Sequence, residues 1–464
     1  MYKLFIYNYY ITLKYRTFSN VLHQPVTVRS IKGLILLATK QGLRMMSFSL
    51  RIPMAAARSL PTKCWNCSSL RSFHNPSQRS VPPNRFLQWR RTFQPKVNEI
   101  QCKRVQHTIT AQASQGRTRS EKIVGGWLLT CCGMTAEAVV LGGVTRLTES
   151  GLSMTDWHLV KGMKPPSSQE EWIAEFERYK EFPEFKYVHK DITLEDFKFI
   201  FGMEYAHRMW GRAIGLAFIL PGAYFWRKGW ISKAMKPRVL IFGSLLVFQG
   251  LLGWFMVKSG LEEPNPTDIP RVSQYRLASH LGSAFVLYSL MLWSGLSHIL
   301  KPQQIVNSKN LSLLRKCAHG SMALIFTTAL SGAFVAGLDA GLVYNSFPKM
   351  ADRWIPSDIM NFSPKWKNIF ENPTTVQFNH RILGVSTASA VTALWILARR
   401  VPLPARASLA MNCMLGMVAV QITLGISTLL LYVPTSLAAA HQSGSLTLLS
   451  IALWFAHELR KIPK

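Results

Sequence analysis

The chain has 464 residues, a formal net charge of +31 and 48% hydrophobic residues. Its apolar residues are gathered into runs of about 20, the length needed to span a bilayer, which excludes an ordinary soluble globule. A strongly basic chain can mark a nucleic-acid binder. Here the basic residues lie in the first 120 positions and in short connections between apolar runs, a pattern of targeting and membrane topology, so no nucleic-acid partner is expected.

Residues 1–115 contain a single acid, Glu99, among many Arg, Ser and aromatic residues. That composition is the one a mitochondrial transit peptide shows, so the segment is set apart from the folded part of the chain. Met46 opens a second acceptable leader. Cys64 and Cys67 fall in this segment and carry little weight as a metal or redox pair. The remaining cysteines, Cys102, Cys131, Cys132, Cys317 and Cys413, read as small buried residues. No cysteine lies in the loops expected outside the matrix, so no structural disulfide is expected there.

Eight apolar blocks follow, near 123–144, 199–226, 236–257, 276–300, 316–338, 378–399, 407–431 and 436–457. The connection 145–198 is acidic, and its Glu170–Lys180 portion reads as a short amphipathic surface helix. A turn-rich stretch with Pro264, Pro266 and Pro270 separates blocks three and four. The connections after blocks two and four hold Lys and Arg without acids, the connection after block six holds Arg399, Arg400 and Arg406, and the tail holds Arg460, Lys461 and Lys464. By the positive-inside rule both termini face the matrix and the mixed-charge loops face the intermembrane space.

On that topology blocks two, four, six and eight all run inward, and each carries a histidine within its first few residues: His207, His280, His380 and His441. An internal repeat aligns them. Glu204-Tyr205-Ala206-His207-Arg208 is echoed by Gln377-Phe378-Asn379-His380-Arg381, Gln249-x-x-x-Gly253 by Gln421-x-x-x-Gly425, and Glu149-x-Gly151-Leu152 by Asp339-x-Gly341-Leu342. Four crossings return the chain to its starting side, so the two copies share one orientation. The expected fold is an all-α integral membrane protein of eight transmembrane helices. They form two tandem four-helix bundles related by a pseudo-two-fold axis along the membrane normal. After the leader, residues 116–310 form the first half and 311–464 the second.

Neutral imidazole is a strong ligand for haem iron, and facing helices of a four-helix bundle can present two of them to one iron. His207 with His280, and His380 with His441, are the expected pairs. A lone histidine in an apolar helix is more often a hydrogen-bonded packing residue; four at matched positions in a repeat are not. His158, His189, His298, His319 and His457 lack the pattern and read as ordinary polar residues. Arg208, Arg212 and Arg381 lie beside the ligands, where guanidinium groups suit haem propionates; the competing reading is interfacial snorkelling. Glu204 precedes His207 by one turn on the same face. A carboxylate there suits proton transfer or capture of a cationic intermediate; its competing reading is a structural partner for Arg208. Glu137, inside block one, reads either as a second functional acid or as a bridge between helices.

The run Gly142-Gly143-Val144-Thr145-Arg146-Leu147-Thr148-Glu149-Ser150-Gly151-Leu152-Ser153-Met154, with Glu204-Tyr205-x-His207-Arg208 and Phe378-x-His380-Arg381, closely resembles the haem A synthase family in its mitochondrial form. The resemblance covers about residues 121–458. It implies oxidation of the C8 methyl of haem O to a formyl group, by successive two-electron steps, to make haem A for cytochrome c oxidase. It further implies that His207 and His280 hold the substrate haem, that His380 and His441 hold a resident haem b, and that Glu204 is catalytic. The implied partners are a haem O donor enzyme, a ferredoxin-type electron donor and inner-membrane lipid; the assembly is open between monomer and homo-oligomer. Some bacterial members carry a cysteine pair in an outer loop, which is absent here.

Two other classes use the same residues. A bis-histidine di-haem electron carrier would need all four histidines but not the Glu204/Gln377 asymmetry. A parallel-repeat transporter would place the histidines in a proton path and hold no haem.

Overall fold

The computed structural model describes residues 117–157, 164–263, 271–306 and 308–461. The leader assigned to 1–115, with Cys64, Cys67 and Cys102, lies outside the described residues, as do His158, Pro264, Pro266 and Pro270. The chain within them is helical. The helices are α1 (Arg119–Leu147), α2 (Gln169–Lys180), α3 (Pro183–Tyr187), α4 (Leu194–Arg227), α5 (Lys236–Gly260), α6 (Gln274–Ile299), α7 (Lys309–Gly337), α8 (Pro373–Ala398), α9 (Ala405–Leu430) and α10 (Thr435–Glu458). The eight long helices match the eight apolar blocks, with ends that differ by at most seven residues, the largest at the start of α7, and α2 is the amphipathic helix of the acidic connection.

Local chemistry sets their ends. Thr118 and Glu121 form a reciprocal capping box at the start of α1, and Thr193 with Asp196 does the same for α4. Asn372 caps α8 by accepting from the amides of Thr374 and Thr375, with Pro373 at the first helical position. The turn into α10 holds Tyr432 and Val433 at φ of 60° and 58°. A left-handed β-branched residue is strained, and Asn345 Nδ2 braces the turn by donating to Leu429 O.

Six helices, α1, α5, α6, α7, α8 and α9, are long and apolar enough to cross a membrane. The expectation of eight is met for these six. α4 and α10 fall short for physical reasons. The N-terminal part of α4 carries Glu195, Asp196, Lys198, Glu204, Arg208 and Arg212. α10 packs on α1, α6, α7 and α9, and answers them with polar side chains: Gln442 Nε2 donates to Val139 O of α1 at 2.9 Å, and Ser450 meets the Tyr288 hydroxyl of α6 at 2.7 Å. Gly143 makes the first of these contacts possible, since a methyl group there would collide with the Gln442 amide. The C-terminal half of α4 and all of α5 show apolar outward faces, with Leu216, Ile219, Leu220, Leu240, Ile241, Val247 and Leu251 exposed.

Helix pairs α1·α4, α1·α6, α4·α5 and α5·α6 pack in the first half of the sequence; α7·α8, α8·α9, α9·α10 and α7·α10 pack in the second. Helices of both halves share one apolar core that includes Leu128, Phe285, Met291, Leu314, Leu394 and Phe455, all fully buried or nearly so. Between membrane helices, tight packing and interhelical hydrogen bonds do the work that water exclusion does elsewhere. Trp127 illustrates both: it stacks on Phe218 with centroids 5.1 Å apart, and its Nε1 donates to Ala217 O at 2.9 Å.

Cys131 and Cys132 are buried as expected, but Cys413 is exposed on α9, a correction to the reading of it as a core residue. The four described cysteines are all free. Glu137, which reads either as a second functional acid or as a bridge between helices, is exposed on α1.

The connection between α1 and α4 folds over the outer end of α4. Its centre is an aromatic cluster of Phe176, Tyr179, Phe197 and Phe201. Within it sits a buried polar chain: His189 Nδ1 is 2.7 Å from the Tyr179 hydroxyl, which donates to Glu184 Oε2 at 2.9 Å, while His189 Nε2 faces Glu149 at 3.8 Å. His189 was read as an ordinary polar residue; it is 1% exposed and holds the connection together. Burial pushes the Glu184 carboxyl up to about 7. His189 is held above its ordinary value, because Glu149 and Glu184 outweigh the burial that pulls it down. Both groups are thus better protonated in the folded connection than in the unfolded chain. The stability they give is complete below the ordinary carboxylate range and is lost as pH rises through about 7. The expected outcome is that the melting temperature of the purified protein falls between pH 5 and 7.5. Glu184→Gln should flatten that slope by up to about 3 kcal/mol; an unchanged slope in the variant would refute the assignment.

Candidate functional site

The four histidines lie in the N-terminal halves of α4, α6, α8 and α10. His207 and His280 are near enough to interact electrostatically. The rings of His380 and His441 have centroids 6.3 Å apart and stand nearly perpendicular, at 87°. Two imidazoles bound through Nε2 to one metal, at about 2 Å each, have that separation.

Each ring is seated on a glycine of the helix beside it. A methyl group at Gly142 would stand 2.9 Å from His207 Cε1, and one at Gly425 would stand 2.8 Å from His441 Cε1. At Gly253 and Gly332 it would stand 3.5 Å from the Cε1 of His280 and of His380. The four glycines are on α1, α5, α7 and α9, the helices that bear no candidate ligand. Sequence reasoning noted Gly253 and Gly425 as part of the repeat but missed their use; their fixed spacing after Gln249 and Gln421 was the available signal.

The rings fit a metal that already carries equatorial ligands. Nδ1 of His207, His280 and His441 is buried without a protein partner. Ligation through Nε2 leaves Nδ1 as the protonated ring nitrogen, on the side of the ring away from the metal. His380 shows which nitrogen is free. Ser331 Oγ donates to Thr328 O at 2.7 Å, so at 2.6 Å from His380 Nδ1 it accepts that ring's proton, and Nε2 keeps its lone pair. Among the described residues no cluster of three or more His, Cys, Asp or Glu could hold a bare metal ion. Pairs of imidazoles and no third donor suit a metalloporphyrin.

Beside the first pair, Glu204 is 3% exposed. Its Oε2 accepts from Ser153 Oγ at 2.7 Å and from Met154 N–H at 2.8 Å, and its Oε1 accepts from Arg208 Nη2 at 2.6 Å. Arg208 also donates to Met154 O and Asp156 O, and its guanidinium covers the Trp157 ring at 4.5 Å. The structural partner weighed for Glu204 is therefore present. A buried pair of this kind is costly to break on one side, by about 3–5 kcal/mol.

Beside the second pair the same frame recurs with a different group. Arg381 Nη2 donates to Tyr344 O at 2.9 Å, as Arg208 does to Met154 O. Gln377, in the place of Glu204, donates through Nε2 to Tyr344 O at 3.0 Å. Val343 occupies the position of Ser153 and offers no hydroxyl. The backbone turn is shared too: Glu149 and Asp339 have φ of 54° and 51°. Arg212 donates to Arg208 O at 3.1 Å. All three arginines are thus committed, in part, to groups within the protein, and Nε of Arg208 and of Arg381 remains buried without a partner. His298 and His319 bond their own helices, while His457 is wholly buried at the inner end of α10, against Ser297 and Arg460.

The fold and site define a multi-pass helical membrane protein with two matched histidine pairs, only one of which has a carboxylate beside it. Residues 125–453 match the COX15-CtaA family model, described as cytochrome oxidase assembly protein. The chain is 55% identical over 423 residues to Heme A synthase COX15 of Homo sapiens, covering 91% of this chain and 98% of that one. It is 63% identical over 346 residues to Heme A synthase COX15 of Bos taurus, covering 74% and 84%. It is 44% identical over 375 residues to Heme A synthase COX15 of Saccharomyces cerevisiae, covering 75% and 77%. The chain belongs to the COX15-CtaA family.

The glycine seats give a graded prediction. Gly142→Ala and Gly425→Ala should each displace a ring, and overpacking of about 1–3 kcal/mol corresponds to about 5- to 150-fold weaker haem retention. Gly253→Ala and Gly332→Ala add a methyl at ordinary contact distance and should be tolerated. Pyridine haemochrome spectra of the purified variants measure this, and equal haem loss from all four would sink the distinction.

Proposed function

We propose that the protein is a haem A synthase of the mitochondrial inner membrane, converting haem O to haem A for cytochrome oxidase. His207 and His280 take the substrate haem, and His380 and His441 take a resident haem b. The eight long helices all cross the membrane, as two four-helix halves, 116–310 and 311–464. Both termini lie in the matrix and both histidine pairs lie toward the intermembrane space. One observation carries the assignment of roles: the two pairs sit in matching frames, and the frame at the first holds a carboxylate where the second holds an amide.

The residues then divide the work. His207 and His280 would supply the imidazoles that hold the substrate haem. When bound at the second pair, haem b supplies an electron-transfer centre. Oxidation of a methyl carbon releases protons and builds positive charge, and a buried carboxylate is suited to receive either. Ser153, the Met154 amide and Arg208 fix Glu204 in place, so that its charge is oriented before reaction. Gln377 cannot carry that charge, which suits a resident group that is to stay unmodified. The buried Nε atoms of Arg208 and Arg381 leave donors for propionates. A haem O donor enzyme and a ferredoxin-type electron partner complete the scheme.

Haem content of the purified protein tests this. Glu204→Gln keeps the shape of the frame but removes the charge; haem A formation should fall by about 10²-fold or more, haem O should accumulate, and haem b should persist. His380→Ala or His441→Ala should remove haem b specifically. Undiminished haem A in the Glu204→Gln protein would overturn the catalytic role, and haem b alone in the wild type would favour an electron carrier.

A further inference from the structure

A cavity of about 560 Å³ opens between α4 and α5, inward of the first histidine pair. Phe218, Gly222 and Trp226 of α4 and Val239, Gly243 and Val247 of α5 line it. Phe218 lies eleven residues beyond His207, which places the cavity's near end roughly 16 Å along the helix axis. Its lining is almost wholly apolar. Lys236 sits over the Trp226 ring at 5.0 Å and closes the inner end. One side is open to the surface, where Ile219, Leu240 and Val247 are 59%, 62% and 63% exposed.

The internal repeat shows that this space is particular to one half. The alignment that sets His207 against His380 sets Gly222 against Trp395. The alignment that sets Gln249 against Gln421 sets Gly243 against Leu415, and Leu240 against Asn412. In the second half the Trp395 indole N–H donates to Asn412 Oδ1 at 3.0 Å and so spans the gap from α8 to α9. The first half has two small residues where the second has Trp395, held across the gap by its hydrogen bond to Asn412, and Leu415. Gly222 also admits Trp127, whose ring would lie 3.1 Å from a methyl placed there. Gly243 has only Phe218 near it, at 3.6 Å, and faces open space otherwise.

We propose that the α4–α5 groove seats the isoprenoid side chain of the substrate haem, and that Trp395 and Leu415 deny that seat to a tailed haem in the second half. The inference rests on the assignment of the first histidine pair to haem O. Haem O differs from haem b by a long hydroxyethylfarnesyl chain, and that chain leaves the macrocycle at the edge away from the propionates. With propionates toward the outer surface, the chain points inward, toward the groove. The open side lets it enter laterally from the bilayer without crossing the packed helices. Because lipid is as apolar as the groove, the seat contributes discrimination by shape more than affinity.

Titration of the purified full-length protein, with its resident haem b in place, separates the outcomes. The probes are haem O and protohaem, which lacks the tail, each followed by its absorbance. Gly243→Leu copies the second half and should weaken haem O binding about tenfold while leaving protohaem binding unchanged. Gly243→Ala fills little of the space and should behave as wild type. Val247→Phe blocks the same groove from another position and repeats the test should Gly243→Leu fail to fold. Unaltered haem O binding in both blocking variants would overturn the proposal, and so would equal loss of haem O and protohaem. Failure of the wild type to bind either probe at His207 and His280 would count against the site assignment itself, a different result from either.

Discussion

Close approach of helices at four glycines is the constraint on which this structure depends. An imidazole can project into the centre of a four-helix arrangement only if the helix beside it gives up its side chain. Gly142, Gly253, Gly332 and Gly425 do so, and His380 and His441 face one another at the separation two ligands of one metal require. The same absence of side chains lets backbones come near, which is how helices associate in a medium with no water to exclude. Ligand geometry and helix packing are therefore one requirement.

A repeat makes differences between its halves informative. Arg208 and Arg381 bond corresponding carbonyls, and Glu149 and Asp339 take the same left-handed turn. Against that shared frame, three exchanges stand out: Glu204 for Gln377, Ser153 for Val343, and the Gly222–Gly243 pair for Trp395 and Leu415. The first two put a fixed negative charge in one half. The third leaves space in the same half. Charge and space together distinguish the first half from the second.

The arginines show how tertiary structure redistributes charge. From their position beside the histidines they read as partners for propionates. In the fold they first satisfy the protein: Arg208 neutralises Glu204 and ties the turn after α1, and Arg381 ties the turn at Tyr344. Only their remaining donors are free for a ligand. The buried Tyr179–Glu184–His189 chain is a second such case, since it secures the connection that brings Ser153 and Met154 to Glu204.

The order and approximate extent of the long helices and the internal repeat were legible in the sequence, and so was the placement of four histidines and Glu204 on matched helices. Hydropathy and motif spacing are properties of neighbouring residues, and a bilayer enforces them helix by helix. The motifs likewise carried the family. What the sequence left undecided depends on residues far apart in the chain. Glycine seats, the three donors on Glu204, the burial of His189 and the filling of one groove by Trp395 arise only where separate helices meet. A residue's neighbours across an interface are set by packing, and packing is not written in local periodicity.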